Sequence, residues 1–389
     1  MDLSTEPIDA LAAVTHPDPY PFYARLREGA PLAFDARLGL WVAGRDAVVR
    51  DALAHPTLRV RPSAQPVPPP IAGTPAGGLF GKLVRMNDGA GHAAMKAALH
   101  AALAAVDEAA AAHAACEAWA ALEGDCGDLN DACLALPVGA VAHLLGFRTT
   151  NLPLLWRATR SFVPALSSLS GPAQLQAASV AADALLSCFD AGPAAPGDSP
   201  MATLFERAGR PAGAPRHAWL ANLAGLLSQT CEASAGLLGN SLVALQREPG
   251  LDDDLRAGRV DAAALVAEVA RHDPPVQNTR RFVPADGGGV ELGGRLLQPG
   301  DTVLLVLASA SRDPAAWPAP DRFQPGRPAA NLPTFGHGRH ACPGQALALG
   351  VAAALLPTLA GARQPLAGYR PSLNARVPLF GADAAPGPT

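Results

Sequence analysis

Phe335-Gly336-His337-Gly338-Arg339-His340-Ala341-Cys342-Pro343-Gly344 is the stretch that decides how this chain is read. It is a glycine-rich loop that delivers a cysteine to the start of a helix. Gly336 and Gly338 permit a tight turn with positive φ. Cys342 then lies beside backbone N–H groups and a helix N-terminus, and both favour a thiolate. The other cysteines are Cys116, Cys126, Cys133, Cys188 and Cys231; none of the six forms a CxxC pair. A disulfide framework is not expected at this length and spacing. The remaining five read as buried apolar fillers.

Working outward from the loop, a long helix is expected from near Pro343 to before Pro365, with Pro357 kinking or shortening it. Upstream lies a Pro-rich meander from Asp313 to Pro333. Strand-like runs separated by Gly-rich turns fill Arg280 to Val306. Residues 262 to 272 read as a helix stopped by Pro274 and Pro275. Residues 216 to 247 form the longest unbroken helical stretch, ended by Pro249 and Gly250. Residues 90–122, 131–146 and 172–190 are rich in helix formers, and Ala191 to Pro200 reads as a linker-like break. Nearer the start, His16 to Gly29 is a Pro-bounded entry into a short helix, and Pro31 to Val48 reads as a hairpin. Arg59 to Gly78 is a long loop of Pro, Gly, Ala and Ser. The whole reads as a mainly α protein with small β-sheets, forming a single domain over residues 1–389.

Hydrophobic residues make up 49% of the 389 positions and charged residues only 16%, which suits a large interior. The net charge is −4, with no Lys/Arg run, so no nucleic-acid partner is expected. The opening residues are polar and Pro-containing, and no apolar run reaches the length of a membrane span. A cytoplasmic protein without a membrane anchor is expected.

The loop resembles the cysteine-ligand loop of the cytochrome P450 family, Phe-Gly-x-Gly-x-His-x-Cys-x-Gly, with every defining position present: Phe335, Gly336, Gly338, His340, Cys342 and Gly344. A second resemblance is Glu268-Val-Ala-Arg271, about seventy residues before the ligand. Taken alone, a Glu/Arg pair at i and i+3 is a common surface bridge. The resemblance implies haem b (iron protoporphyrin IX), with Cys342 as axial iron ligand. It implies a structural network of Glu268, Arg271 and Arg322 supporting the haem's proximal side. It assigns propionate contacts to His340, His92, Lys96 and Arg281. The family usually has Arg where Lys96 stands, and lysine keeps the charge but loses the bidentate fork.

The long helix departs from the pattern. Most relatives carry Ala-Gly, then an acid and a threonine that helps relay protons. Here Gln229-Thr230 replaces Ala-Gly, Glu232 keeps the acid, and Ala233 replaces the threonine. Three readings stay open. Thr230, one turn earlier, supplies the hydroxyl; or substrate or water supplies it; or the reaction is not ordinary oxygen insertion. Gln229 either orients a polar substrate or bonds a neighbouring helix carbonyl. Substrate-facing stretches, by resemblance, are Arg59–Gly81, Leu154–Leu169, Val276–Thr279 and Leu379-Phe380. They contribute Phe80, Trp156, Phe162, Val276, Asn278 and Phe380, with ordinary core as the alternative for the aromatics.

The resemblance implies a monomeric monooxygenase of specialised metabolism acting on a small molecule. Electrons would come from a ferredoxin and ferredoxin reductase, and Arg339 and nearby basic residues would dock an acidic partner. The alternatives are coupling, cyclisation or dehydration without oxygen insertion, a non-catalytic haem-binding protein, and a helical scaffold with an inert Cys342.

Overall fold

The computed structural model describes residues 6–192, 210–362 and 364–381, and the linker-like break expected from Ala191 lies outside them from residue 193 onward. In chain order its helices are α1 (Tyr20–Glu28), α2 (Asp46–Ala54), α3 (Pro75–Phe80), α4 (Ala90–Ala104), α5 (Glu108–Leu122), α6 (Leu129–Leu144), α7 (Leu152–Phe162), α8 (Pro172–Ala191), α9 (Arg216–Arg247), α10 (Leu251–Arg256), α11 (Ala262–His272), α12 (Leu307–Ala310) and α13 (Gln345–Leu359). The strands are β1 (Ala33–Asp35), β2 (Leu40–Ala43), β3 (Thr279–Phe282), β4 (Val290–Leu292), β5 (Arg295–Leu297), β6 (Thr302–Leu305), β7 (Leu366–Tyr369) and β8 (Pro378–Phe380). Two compact units emerge. One draws on Met1–Ala64, Gly239–Cys342 and Gln364–Pro386, the other on Gln65–Leu238 and Pro343–Arg363.

The first unit holds all the described strands. Its main sheet runs β1-β2-β6-β3, with β2 and β6 parallel at the centre and the outer pairs antiparallel. The central strands, Leu40–Ala43 and Thr302–Leu305, are almost wholly apolar, as strands covered on both faces must be. On one face α2 contributes Val49, Ala52 and Leu53 to a core with Ala43, Val303 and Leu305. On the other, Tyr23 of α1 packs with Val42, Leu304 and Val306. Arg376 is fully buried; it pairs with Asp273 at 2.9 Å and donates to the carbonyls of Val14 and His16 at 3.0 and 2.7 Å. It thereby ties the amino-terminal segment to the end of α11.

The second unit is helical throughout its described part. Its most buried element is α6, which packs tightly on α5. A Cβ on Gly139 would fall 2.6 Å from Leu122 Cδ1 and 3.1 Å from Ala118 Cβ, so a larger residue there would force Leu122 to shift. Asn222 on α9 accepts from Val84 N at 2.7 Å and donates to Lys82 O at 2.8 Å, pinning the 82–84 segment to the helix.

The sequence expectations need four adjustments. The run 90–122 divides at Asp107, whose carboxylate caps α5 by accepting from Ala110 N at 2.8 Å. The loop expected to Gly78 ends earlier, because Thr74 caps α3 and Gly77 allows Ile71 O to approach. Helices α2 and α7 were not anticipated. Pro357 does not stop α13, which runs on to Leu359.

Candidate active site

The loop of Cys342 is closed by its own backbone. Gly336 and Gly338 take φ of 73° and 66°. Cys342 N donates to Phe335 O at 2.7 Å, Ala341 N to Gly338 O at 3.0 Å, and Gly336 N to Pro333 O at 2.8 Å. A Cβ on Gly338 would sit 3.0 Å from Ala54 Cα, so the turn lies directly against α2. Arg339 donates to His55 O at 2.8 Å and also to Leu58 O. Its guanidinium clamps the chain just beyond α2. Thr334 Oγ1 donates to Val276 O at 3.2 Å and fixes the loop's entry. Cys342 itself is exposed, three residues ahead of α13.

Behind the loop lies a buried ion pair. Glu268 and Arg271, one turn apart on α11, meet through two bonds of 2.6 and 2.9 Å, each side chain 1% exposed. Arg271 also donates to the carbonyls of Ser311, Pro320 and Arg322 at 3.1, 2.8 and 3.2 Å. Glu268 accepts from Gln324 N at 2.8 Å, and Arg327 Nε lies 3.5 Å away. The third charge is therefore Arg327; Arg322 enters only through its carbonyl, with an exposed side chain. Arg327 also donates to Pro318 O and to Ala319 O, which holds Ala319 at a left-handed φ of 44°. The motif count chose the arginine just before Phe323, whereas the geometry uses the one four residues after it.

His272 closes α11. Its Nδ1 accepts from Arg312 Nη2 at 3.0 Å while Nε2 donates to Asp321 O at 3.0 Å, the pattern of a neutral ring. Burial, and then the Arg312 charge, push its pKa down to about 4. The unfolded chain binds the proton more readily, so the contribution of His272 is complete above about pH 6.5 and falls as pH drops towards 4. The loss reaches about 3 kcal/mol at its limit. Urea unfolding between pH 4 and 7 should show this slope, and His272→Gln should flatten it.

Arg281 is buried on β3, opposite Val303, and donates to Arg280 O at 2.9 Å. His340 is half-buried in the loop. In the second unit, His92 is buried on α4 and Lys96 lies half-buried one turn along. On α9, Gln229 Nε2 donates to Gly225 O at 2.9 Å, and Ser228 Oγ donates to the same carbonyl at 3.1 Å. The neighbour-carbonyl alternative for Gln229 is the one realised. Thr230, Glu232 and Ala233 are half-buried, with Thr230 and Ala233 on one helix face. Phe80, Trp156, Phe162 and Phe380 are all buried. Val276 bridges to Ala375, and Asn278 donates to Leu373 O at 2.8 Å.

Among the described residues no group of three or more His, Cys, Asp or Glu is placed to hold a metal ion. A single exposed cysteine on a rigid loop suits a soft axial ligand, and Arg281 and His340 offer donors for carboxylates. The residues fit haem.

Comparison with known proteins agrees. The family description "Cytochrome P450" matches residues 262–359, from α11 through α13. The cytochrome P450 monooxygenase PikC of Streptomyces venezuelae is 39% identical over 120 residues, 30% of this chain and 28% of that protein. The match thus spans under a third of the curated relative. The structure of CalO2 superposes with a TM-score of 0.79 at 24% identity, covering 97% of this chain and 98% of that one. Mycobacterium smegmatis CYP164A2 gives 0.72 at 27% identity, over 95% and 96%. The chain has the cytochrome P450 fold, and its residues 262–359 match the cytochrome P450 family, whose prosthetic group is haem.

Proposed function

We propose that the protein is a haem-thiolate monooxygenase that oxidises a small organic molecule in specialised metabolism. The reading includes dioxygen as oxidant, electrons from a separate ferredoxin and its reductase, a monomeric state and a cytoplasmic location. The observation that carries it is the backbone-closed loop presenting Cys342 in front of a buried Glu268–Arg271 pair. Among the described residues no helix is long and apolar enough to cross a membrane.

Bound haem supplies the oxygen chemistry, and a thiolate ligand donates electron density that favours O–O cleavage. The chain's own groups have separable tasks. Cys342 would be the ligand, and His340 and Arg281 of the same unit would hold propionates; a propionate role for His92 and Lys96 is what the resemblance implies. Glu268, Arg271 and Arg327 keep the segment before the loop in place. Glu232 holds and passes a proton from α9. Thr230 offers a hydroxyl on the face where Ala233 has none.

Ala233 also motivates a second reading, coupling or dehydration without oxygen insertion. Turnover with a ferredoxin pair and isotope-labelled dioxygen separates the two: labelled product is expected, and unlabelled product favours the second. Ala233→Thr should raise product formed per electron consumed several-fold. An unchanged yield would show that this position does not limit proton delivery.

A further inference from the structure

The chain has three tyrosines, Tyr20, Tyr23 and Tyr369, and the fold gathers all of them around one ion pair, Asp273 with the fully buried Arg376. Tyr20 OH donates to Asp273 Oδ1 at 2.5 Å, the same oxygen that Arg376 Nε approaches at 2.9 Å. The Tyr20 and Tyr23 rings stand edge to face with centroids 5.9 Å apart. The Arg376 guanidinium lies 3.6 Å over the Tyr369 ring. Within the first unit an unbroken series of bonds joins this cluster to the Cys342 loop. Cys342 N donates to Phe335 O at 2.7 Å, and the residue before Phe335, Thr334, donates through Oγ1 to Val276 O at 3.2 Å. The residue after Val276 is Gln277, whose Oε1 accepts from Tyr23 OH at 2.9 Å.

The three phenols differ in where a proton can go. A phenol that loses an electron becomes a strong acid, so the electron leaves readily only where a base waits. Tyr23 faces a neutral amide oxygen, which is no base. Tyr369 lies under a guanidinium, and no carboxylate accepts from its hydroxyl. Tyr20 alone donates to a carboxylate. Loss of water around that hydroxyl, and then the Asp273 charge, push its pKa well above the usual value, so the phenol stays protonated until it is oxidised. The Arg312 guanidinium sits 3.3 Å over the Tyr20 ring and opposes a positive charge there, so the electron and the proton leave together.

We propose that Tyr20 is a redox-active residue which, with Tyr23 as relay, reduces the haem when it is oxidised in the absence of substrate. The proposal rests on the haem-thiolate reading. The oxidant is hydrogen peroxide acting through the haem. Tyr20 gives one electron to the oxidised haem; its O–H bond breaks and the proton passes to Asp273 Oδ1. A neutral tyrosyl radical and a neutral carboxyl remain. The electron is one that would otherwise come from Cys342, whose thiolate is open to irreversible oxidation.

The test mixes ferric, haem-loaded protein with hydrogen peroxide, freezes it rapidly and reads electron paramagnetic resonance. The wild type should show a tyrosyl radical, formed more slowly in deuterium oxide. Tyr20→Phe keeps the ring against His272 and Arg312 and loses only the hydroxyl. It should lose the signal, and its haem should bleach several-fold faster in peroxide. Tyr369→Phe should change neither. A Tyr20→Phe protein that keeps the radical, or bleaches at the wild-type rate, would overturn the proposal. If urea shows Tyr20→Phe to be unfolded, the wild type decides: radical formation at the same rate in deuterium oxide overturns the transfer to Asp273. A wild type that takes up no haem fails the haem-thiolate reading instead. Light-generated ruthenium(III) tris-bipyridine then supplies the oxidant, and a tyrosyl signal that is missing, or equal in Tyr20→Phe, overturns the proposal.

Discussion

Glu268→Ala should cost the fold about 3–5 kcal/mol, because it strands the Arg271 guanidinium, 1% exposed, without its carboxylate. The loss goes beyond one ion pair. Glu268 also accepts from Gln324 N, and Arg271 gathers the carbonyls of Ser311, Pro320 and Arg322. Removing either partner frees the 311–324 segment that leads to the Cys342 loop. Arg327→Ala should cost about 1–3 kcal/mol, since it removes a charge close to Glu268 and two donors to the Pro318 and Ala319 carbonyls. Arg322→Ala should change stability by under about 0.5 kcal/mol, because its carbonyl remains and its side chain is exposed. Urea unfolding of the three variants checks the order. Equal losses at Arg322 and Arg327 would contradict the assignment of the third charge.

Cys342→Ser should leave stability within about 1 kcal/mol of wild type, because the side chain is exposed and the loop is closed by backbone bonds. Activity should nevertheless fall by more than the roughly 10–100-fold that removal of an outer-shell partner of a metal ligand brings. A serine hydroxyl is a hard, weakly donating ligand in place of a soft thiolate. Normal folding with lost turnover, measured on the same preparation, separates this outcome from that of Glu268→Ala.

The elements legible from the sequence are those with a local physical signature. The helix Arg216–Arg247 is free of proline and stopped by Pro249, and its bounds match the expectation. Helix Ala262–His272 ends at paired prolines, and the Cys342 turn needs glycines at positive φ, which it has. Elements that depend on tertiary contact were less legible. Helix α7 buries Leu152, Leu155, Trp156, Thr159 and Phe162 on one face, but Pro153 and the following Pro164 masked that spacing. Gly77 and Gly78 read as turn formers, yet α3 begins before them because Ile71 O needs the room. The choice between Arg322 and Arg327 turned on which guanidinium folds back to Glu268, and spacing alone does not encode that. Gln229 donates to Gly225 O one turn back on its own helix, a bond that spacing alone does not encode.

The difference spectrum of the reduced, CO-bound protein tests the central claim most directly. Thiolate ligation by Cys342 predicts the band at about 450 nm for which the family is named, and Cys342→Ser should abolish it. A haem-loaded wild type whose band stays at about 420 nm in fresh preparations, or a protein that takes up no haem when supplied with it, would contradict the account.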